Sequence, residues 1–201
     1  QVVAGEIPDE WTFDSLIVDE GQDFQAEWVE ILRLFGRDEP DIVWLEDQDQ
    51  GIREEIPIAL EGAVGYRANA NYRSPQSIAR FIKKVVPFQF ECANDLPGLR
   101  VTVHRYREAD EQPRIVGQII GELFQQGFIA EDLVILTLRG FDSSVLSGKS
   151  RVGNQTLSHF AGGYDLLGNQ VLTSGQVRFE SIYRFKGQQA PAVIIIDVAQ
   201  S

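Results

Sequence analysis

The chain has 201 residues and a mass of 22.6 kDa; 43% of its residues are hydrophobic and 24% charged, enough for a packed core in one large or two small domains, which excludes whole-chain disorder. Cys92 is the lone cysteine, which excludes a disulfide framework and a Cys-rich zinc site and fits a reducing, cytoplasmic compartment. No apolar run nears the roughly 18 residues that span a bilayer, so no membrane partner is expected, and a net charge of −12 argues against a simple nucleic-acid coat protein.

That charge is uneven. Residues 1–62 hold 18 acidic and 3 basic side chains, net −15, whereas residues 63–201 hold 12 and 15, net +3. The acidic part can be a solubilising face or the outside of a first lobe whose companion tolerates a polyanion. With no Met, the chain is expected to be a piece of a longer polypeptide.

In chain order, the apolar run at residues 15–18 reads as a buried strand. Trp28, Ile31, Leu32 and Phe35 fall at helical spacing, with Gly36 as a stop. Residues 41–45 read as a second buried strand. Charge and period both change across residues 62–71, which marks a seam. Ser74 as N-cap and Pro75 at the first helical position predict a helix with Ile78, Phe81, Ile82 and Val85 on its apolar face, closed by Pro87. Alternation at residues 100–106 predicts a strand, and residues 115–124 carry a helical stripe. Strands are predicted at residues 133–138, 176–183 and 192–198. Strand and helix in alternation predict an α/β fold, a parallel sheet with flanking helices.

Four segments carry chemistry. In Leu16-Ile17-Val18-Asp19-Glu20-Gly21-Gln22-Asp23 an apolar strand ends in two carboxylates, and ligands of parallel sheets sit beyond the carboxyl ends of strands. Asp19 there can hold Mg²⁺ through water, and Glu20 can orient or deprotonate an attacking water. An Asp-Glu pair by itself is a common surface turn; the following Gly-Gln-Asp narrows it. Trp44-Leu45-Glu46-Asp47-Gln48-Asp49-Gln50 again follows a strand, and Gln50 has the reach to bridge a phosphate and a water, although an acidic loop capping a sheet reads the same way. In Asn71-Tyr72-Arg73-Ser74-Pro75, Arg73 stands at a helix start that favours anions, and Tyr72 offers a flat face for a base; a plain capping turn is the alternative. Ser181-Ile182-Tyr183-Arg184-Phe185-Lys186-Gly187-Gln188-Gln189 is a basic, aromatic turn between strands, where Arg184 and Lys186 can meet phosphates and Gly187 permits close approach.

In this order the four segments resemble motifs II, III, IV and V of UvrD/Rep-type superfamily 1 helicases, over residues 13–198, and most closely the short members without a large second-lobe insertion. The resemblance implies a P-loop NTPase, RecA-like fold. Residues 1–68 would be the end of a first lobe and residues 69–201 most of a second, with ATP in the cleft between lobes and single-stranded or partly duplex DNA, or RNA, across the top. It implies Asp19 as the Mg²⁺ residue, Glu20 as activator of the hydrolytic water, Gln50 as γ-phosphate sensor and Arg73 as γ-phosphate contact. Tyr72 would stack near adenine, Gly187 and Gln189 would lie by the nucleotide, and Arg184 and Lys186 by the nucleic-acid backbone. The implied cofactors are ATP and Mg²⁺, and the implied partners include upstream and downstream parts of the same polypeptide.

The chain departs from that pattern in places. Gly148-Lys149-Ser150 lacks the glycine a P-loop needs at Ser143 and follows the Asp-Glu strand rather than preceding it, so the β/γ-phosphate cradle and a final arginine motif are expected outside the chain. Glu46 replaces a usual Gly, Ile52-Arg53-Glu54-Glu55 replaces stacking aromatics, and Gln189 replaces a common Glu. The expected function is part of an ATP-dependent helicase that is inactive alone. The alternatives are a degenerate lobe kept as an interaction scaffold and a nucleic-acid-stimulated translocase that does not unwind. Arg80, Lys83 and Lys84 are read as a solvated helix face, Trp11, Trp28 and Trp44 as first-lobe packing, and Cys92 as an apolar filler; His104 and His159 have no ligand spacing.

Overall fold

The computed structural model describes residues 7–47, 58, 60, 62–86 and 90–198. The chain divides into two compact units, Gln1–Ala68 and Asn69–Ser201.

The first unit contains strand β1 (Phe13–Val18), helix α1 (Ala26–Arg33) and strand β2 (Gly36–Trp44). The strands pair in parallel, Leu16 with Ile42, Ile17 with Val43 and Val18 with Trp44. Between the Phe13–Gly36 and Ser15–Asp41 pairs the register slips, and Pro40, which has no N–H to give a ladder, falls in that irregular stretch. The helix ends before Phe35, as its last amides fold into tighter bonds, Leu34 N to Ile31 O and Phe35 N to Leu32 O. Both predicted strands form, but neither is buried throughout. Val18 is inside, whereas Ile17 is 69% and Val43 49% exposed. Successive strand residues face opposite ways, and this two-stranded sheet is covered on one face. Packing there is aromatic: Phe24 meets Trp28 and Trp44 edge-on, with centroids 5.8 and 5.6 Å apart.

The second unit opens with a short parallel pair, β3 (Ala70–Asn71) and β4 (Glu91–Cys92), which flank helix α2 (Gln76–Val85). Helix α3 (Gln112–Gln125) leads into a five-stranded sheet of β5 (Leu133–Thr137), β6 (Arg151–Val152), β7 (Gln155–Ser158), β10 (Val177–Ser181) and β11 (Ala192–Ile196). Its order is β11-β5-β10-β7-β6, parallel except for the antiparallel β6–β7 pair. Strands β8 (Phe160–Tyr164) and β9 (Gln170–Leu172) form a separate hairpin, and the one-turn helix α4 (Ile182–Phe185) links β10 to β11.

Strand β5 is central and buried at all its positions. Its apolar run is continuous because both faces are covered. Leu133 and Ile135 pack in one cluster with Val116 and Ile120 of α3, while Val134 and Leu136 pack in another with Phe185 of α4. The molecule is thus mixed α/β with a mostly parallel central sheet and flanking helices.

Three sequence expectations are corrected. Residues 100–106 form no strand: among the described residues no ladder pairs them, and alternation alone makes none. The strand predicted at residues 176–183 stops at Ser181, whose hydroxyl accepts from Arg184 N at 3.4 Å and starts α4. The last strand stops at Ile196 because Asp197 turns left-handed, with φ of 59°. Pro87 lies outside the described residues. Among the described residues no helix is long and apolar enough to cross a membrane.

Candidate functional site

Because β1 and β2 run parallel, their carboxyl ends share one edge, and the Asp19 and Glu46 turns emerge side by side. The main chain ties them: Leu45 N donates to Val18 O at 2.9 Å and Gly21 N to Leu45 O at 2.8 Å. Gln22 ties them again. Its Nε2 donates to Glu20 Oε2 at 2.7 Å, and its Oε1 accepts from Asp47 N at 2.9 Å. The sequence reading assigned Gln22 no role; its place in Asp-Glu-Gly-Gln-Asp was the available signal. Glu20 itself is left-handed, φ 55° and ψ 41°, a conformation that costs a non-glycine residue about 1–2 kcal/mol. Its N–H donates to Asp19 Oδ1 at 2.9 Å. Residue 21 has no room for a Cβ unless the Trp44 indole shifts, and that indole nitrogen donates to Glu46 Oε2 at 2.9 Å.

Asp19 and Glu20 are both exposed. Among the described residues no group of three or more His, Cys, Asp or Glu side chains is placed to hold a metal. One exposed carboxylate at a strand end does fit Mg²⁺, which keeps most of its water and binds through one or two carboxylates plus phosphate oxygens. Gln50 lies outside the described residues.

In the second unit the Asn71–Ser74 turn is built by two asparagines. Asn71 Oδ1 accepts from Arg73 N at 3.1 Å and Ser74 N at 2.8 Å. Asn94 Nδ2 donates to the carbonyls of Tyr72 at 3.0 Å and Arg73 at 3.2 Å. These bonds leave Tyr72 74% exposed and the Arg73 guanidinium without a partner among the described residues. Two expectations fail at this turn. Helix α2 begins at Gln76 with Pro75 as N-cap, so Ser74 is not the cap. Its first amides are also already taken, Gln76 N by Leu96 O at 2.9 Å and Ser77 N by Pro97 O at 3.1 Å, so these two amides are not open to an anion.

The basic turn after β10 is partly committed to internal contacts. Arg184 lies 4.0 Å from the Phe160 ring centroid, and its Nε is 3.8 Å from Glu180 Oε1. Glu180 is buried, with Arg178 Nη2 4.0 Å from its other oxygen, so removing Arg184 would strip a cation from a desolvated carboxylate. Lys186 is half-buried, Gly187 has φ of 76°, and Gln189 is exposed. Gln188 closes the turn: its N–H donates to Phe185 O at 2.9 Å and its Oε1 accepts from Arg178 Nη1 at 2.6 Å.

A buried polar cluster at the carboxyl ends of β5 and β11 was not foreseen. Asp197 Oδ2 accepts from Thr137 Oγ1 at 2.7 Å and Ser144 Oγ at 2.6 Å, while Oδ1 accepts from Val145 N at 3.3 Å. Its own N–H donates to Gln112 Oε1 at 2.9 Å. Asp197 ending an Ile-Ile-Ile run was the sequence signal for it. No protein-family model, curated protein or solved structure matches the chain.

Proposed function

We propose that the chain is the motif II-to-V segment of a UvrD/Rep-type superfamily 1 helicase, a P-loop NTPase with RecA-like lobes that couples ATP hydrolysis to movement along a single strand. One observation carries this reading: the Asp19-Glu20 turn and the Glu46-Asp47 turn share one sheet edge and are joined through Gln22. That edge is where α/β sheets bind ligands. In this reading Asp19 meets Mg²⁺, Glu20 orients and deprotonates the attacking water, and Gln50 senses the γ-phosphate. Arg73, exposed and without a partner among the described residues, takes phosphate oxygens through its fork, and Tyr72 supplies a stacking face. Lys186, Gly187 and Gln189 serve the turn that meets nucleotide and nucleic acid. MgATP supplies the phosphoryl group and the divalent charge; the chain's own residues position water and phosphate.

The β/γ-phosphates need a cradle that no G-x-x-x-x-G-K-[ST] run in the chain provides. The test therefore uses the polypeptide in which this chain follows a P-loop. Single-stranded DNA or RNA is expected to raise its ATP turnover at least tenfold, and turnover indifferent to added strand would refute the reading. Strand displacement then separates a helicase from a translocase. A specific observation favours the scaffold reading over both: Arg184, expected at the nucleic-acid backbone, is engaged with Glu180 and Phe160. Absence of any ATP turnover would select it.

A further inference from the structure

A pocket of ≈ 450 Å³ opens in the second unit between α2 and the segment that follows β4. Arg80 and Lys84 line it from one helix face, four residues apart and so one turn from each other, and Arg100 lines it from the facing segment. Among the described residues no carboxylate lines it. Arg80 Nε donates to Gln76 O at 3.2 Å, which steadies the stem, and its terminal nitrogens have no acceptor among the described residues. Lys84 and Arg100 form no ion pair among the described residues either. Phe81 contributes a half-buried ring to the wall, and Ser77 brings a hydroxyl that has no hydrogen-bond partner among the described residues. Gly98 keeps the pocket open: its φ is 66°, and a Cβ there would lie 2.8 Å from Ser77 Oγ and 2.4 Å from Pro75 Cβ.

Cations that merely solubilise a surface point apart and mix with acids. Here, among the described residues, three line a concavity with no carboxylate in its wall, beside a hydroxyl without a partner. We propose that this pocket binds the phosphate of a phosphate ester, and that a single nucleic-acid strand is the source. Three cations spread around an open pocket suit a chain of monoanionic phosphodiesters that passes through it, and the Phe81 ring and stems of Arg80 and Lys84 suit the sugar and base. Residues 63–201 carry net +3 against −15 before them, so the pocket lies in the part of the chain where a polyanion is tolerated. The single strand is the partner the helicase reading also names, but the site is a separate one, since that reading gives no role to Ser77, Arg80, Lys84 or Arg100. It replaces the solvated-face reading for Arg80 and Lys84 and leaves it for Lys83, which lies 5.2 Å over the Phe90 ring.

The test is fluorescence anisotropy of a labelled twelve-nucleotide thymidine strand with the full 201-residue chain across a salt series, with inorganic phosphate and AMP as competitors. Arg80→Ala, Lys84→Ala and Arg100→Ala are each expected to weaken strand binding about three- to tenfold. Each should also lower the slope of log K against log salt by about 0.7, the value for one lost phosphate contact on a single strand. Arg100→Lys is expected to restore most of the loss, and Lys83→Ala, which removes the same charge from the same helix outside the pocket, is expected to change nothing. Circular dichroism checks that each variant is folded. Equal losses from Lys83→Ala and the pocket variants, no loss from the pocket variants, or no strand binding at all would overturn the proposal. Binding of AMP or phosphate that needs the three cations while the strand does not would keep the phosphate site and overturn the strand as its source. Strand binding unaffected by the pocket variants would leave the helicase reading standing.

Discussion

Asp197→Ala is the substitution whose cost follows most directly from the geometry. Asp197 is buried and accepts three hydrogen bonds, from Thr137 Oγ1, Ser144 Oγ and Val145 N. Truncation leaves those donors facing a small void between β5 and β11. Thr137 is fully buried, so its hydroxyl gains no water. A buried donor left unpaired costs about 1–3 kcal/mol, and Ser144 can recover part of its loss by rotating, which gives a total of about 3–5 kcal/mol. Asp197→Asn keeps one acceptor oxygen and tolerates the left-handed backbone, so its cost is about 1–2 kcal/mol. The assay is urea unfolding followed by far-ultraviolet circular dichroism; Trp11, Trp28 and Trp44 all belong to the first unit, so tryptophan emission does not report on this one. With a slope of about 2 kcal/mol/M, the midpoint should fall by about 2 M for the alanine variant and about 0.5–1 M for the asparagine variant. An alanine variant within about 1 kcal/mol of the parent, or one no worse than asparagine, would refute the reasoning.

Other outcomes follow from other sites. Gly21→Ala forces a Cβ into the Trp44 indole and should destabilise the first unit by about 1–3 kcal/mol, seen as a shifted tryptophan emission and a lower first-unit midpoint; unchanged emission would contradict the packing. In the β8–β9 loop, Asn169 holds the Asp165 carboxyl below its usual range, chiefly through its side-chain amide, with its backbone N–H and those of Leu167 and Gly168 adding to this. The lowered value means the stabilisation is present above the unfolded carboxyl's pKa and fades as pH falls through the folded one. Carbon-detected NMR titration should put the Asp165 midpoint below that of a free aspartate, and Asn169→Ala should raise it; a midpoint unmoved by the substitution would contradict the assigned cause. Without a phosphate cradle the 201-residue chain alone should bind ATP no tighter than about 1 mM by calorimetry, and micromolar binding would overturn that expectation.

The elements that were legible in the sequence are those whose pattern and environment agree. The continuous apolar run of β5 is covered on both faces, and the stripe of α3 packs Val116 and Ile120 against it, so period and burial say the same thing. Residues 15–18 and 41–45 carry the same kind of run but lie in a two-stranded sheet, so type was readable and burial was not. The missing strand at residues 100–106 failed for the reason that period 2 describes a surface, not a partner. The start of α2 failed by one residue because Ser-Pro can place the proline either as cap or as first helical residue, and the Leu96 and Pro97 carbonyls that meet the first amides come from distant sequence. The candidate carboxylates were found because they follow strands. Gln22, which joins the carboxylate turns, and Asn71 and Asn94, which build the Tyr72–Arg73 turn, were missed in those roles, since a side chain that bonds across turns leaves no periodic trace.

The central claim is that Glu20 activates water for attack on a bound nucleotide. The most direct measurement is steady-state phosphate release, beside nucleotide affinity, for Glu20→Gln in a polypeptide made by joining this chain to a P-loop segment. Loss of a general base predicts turnover reduced about 10²- to 10⁴-fold with ATP affinity within about threefold of the parent. Turnover close to that of the parent would contradict the account.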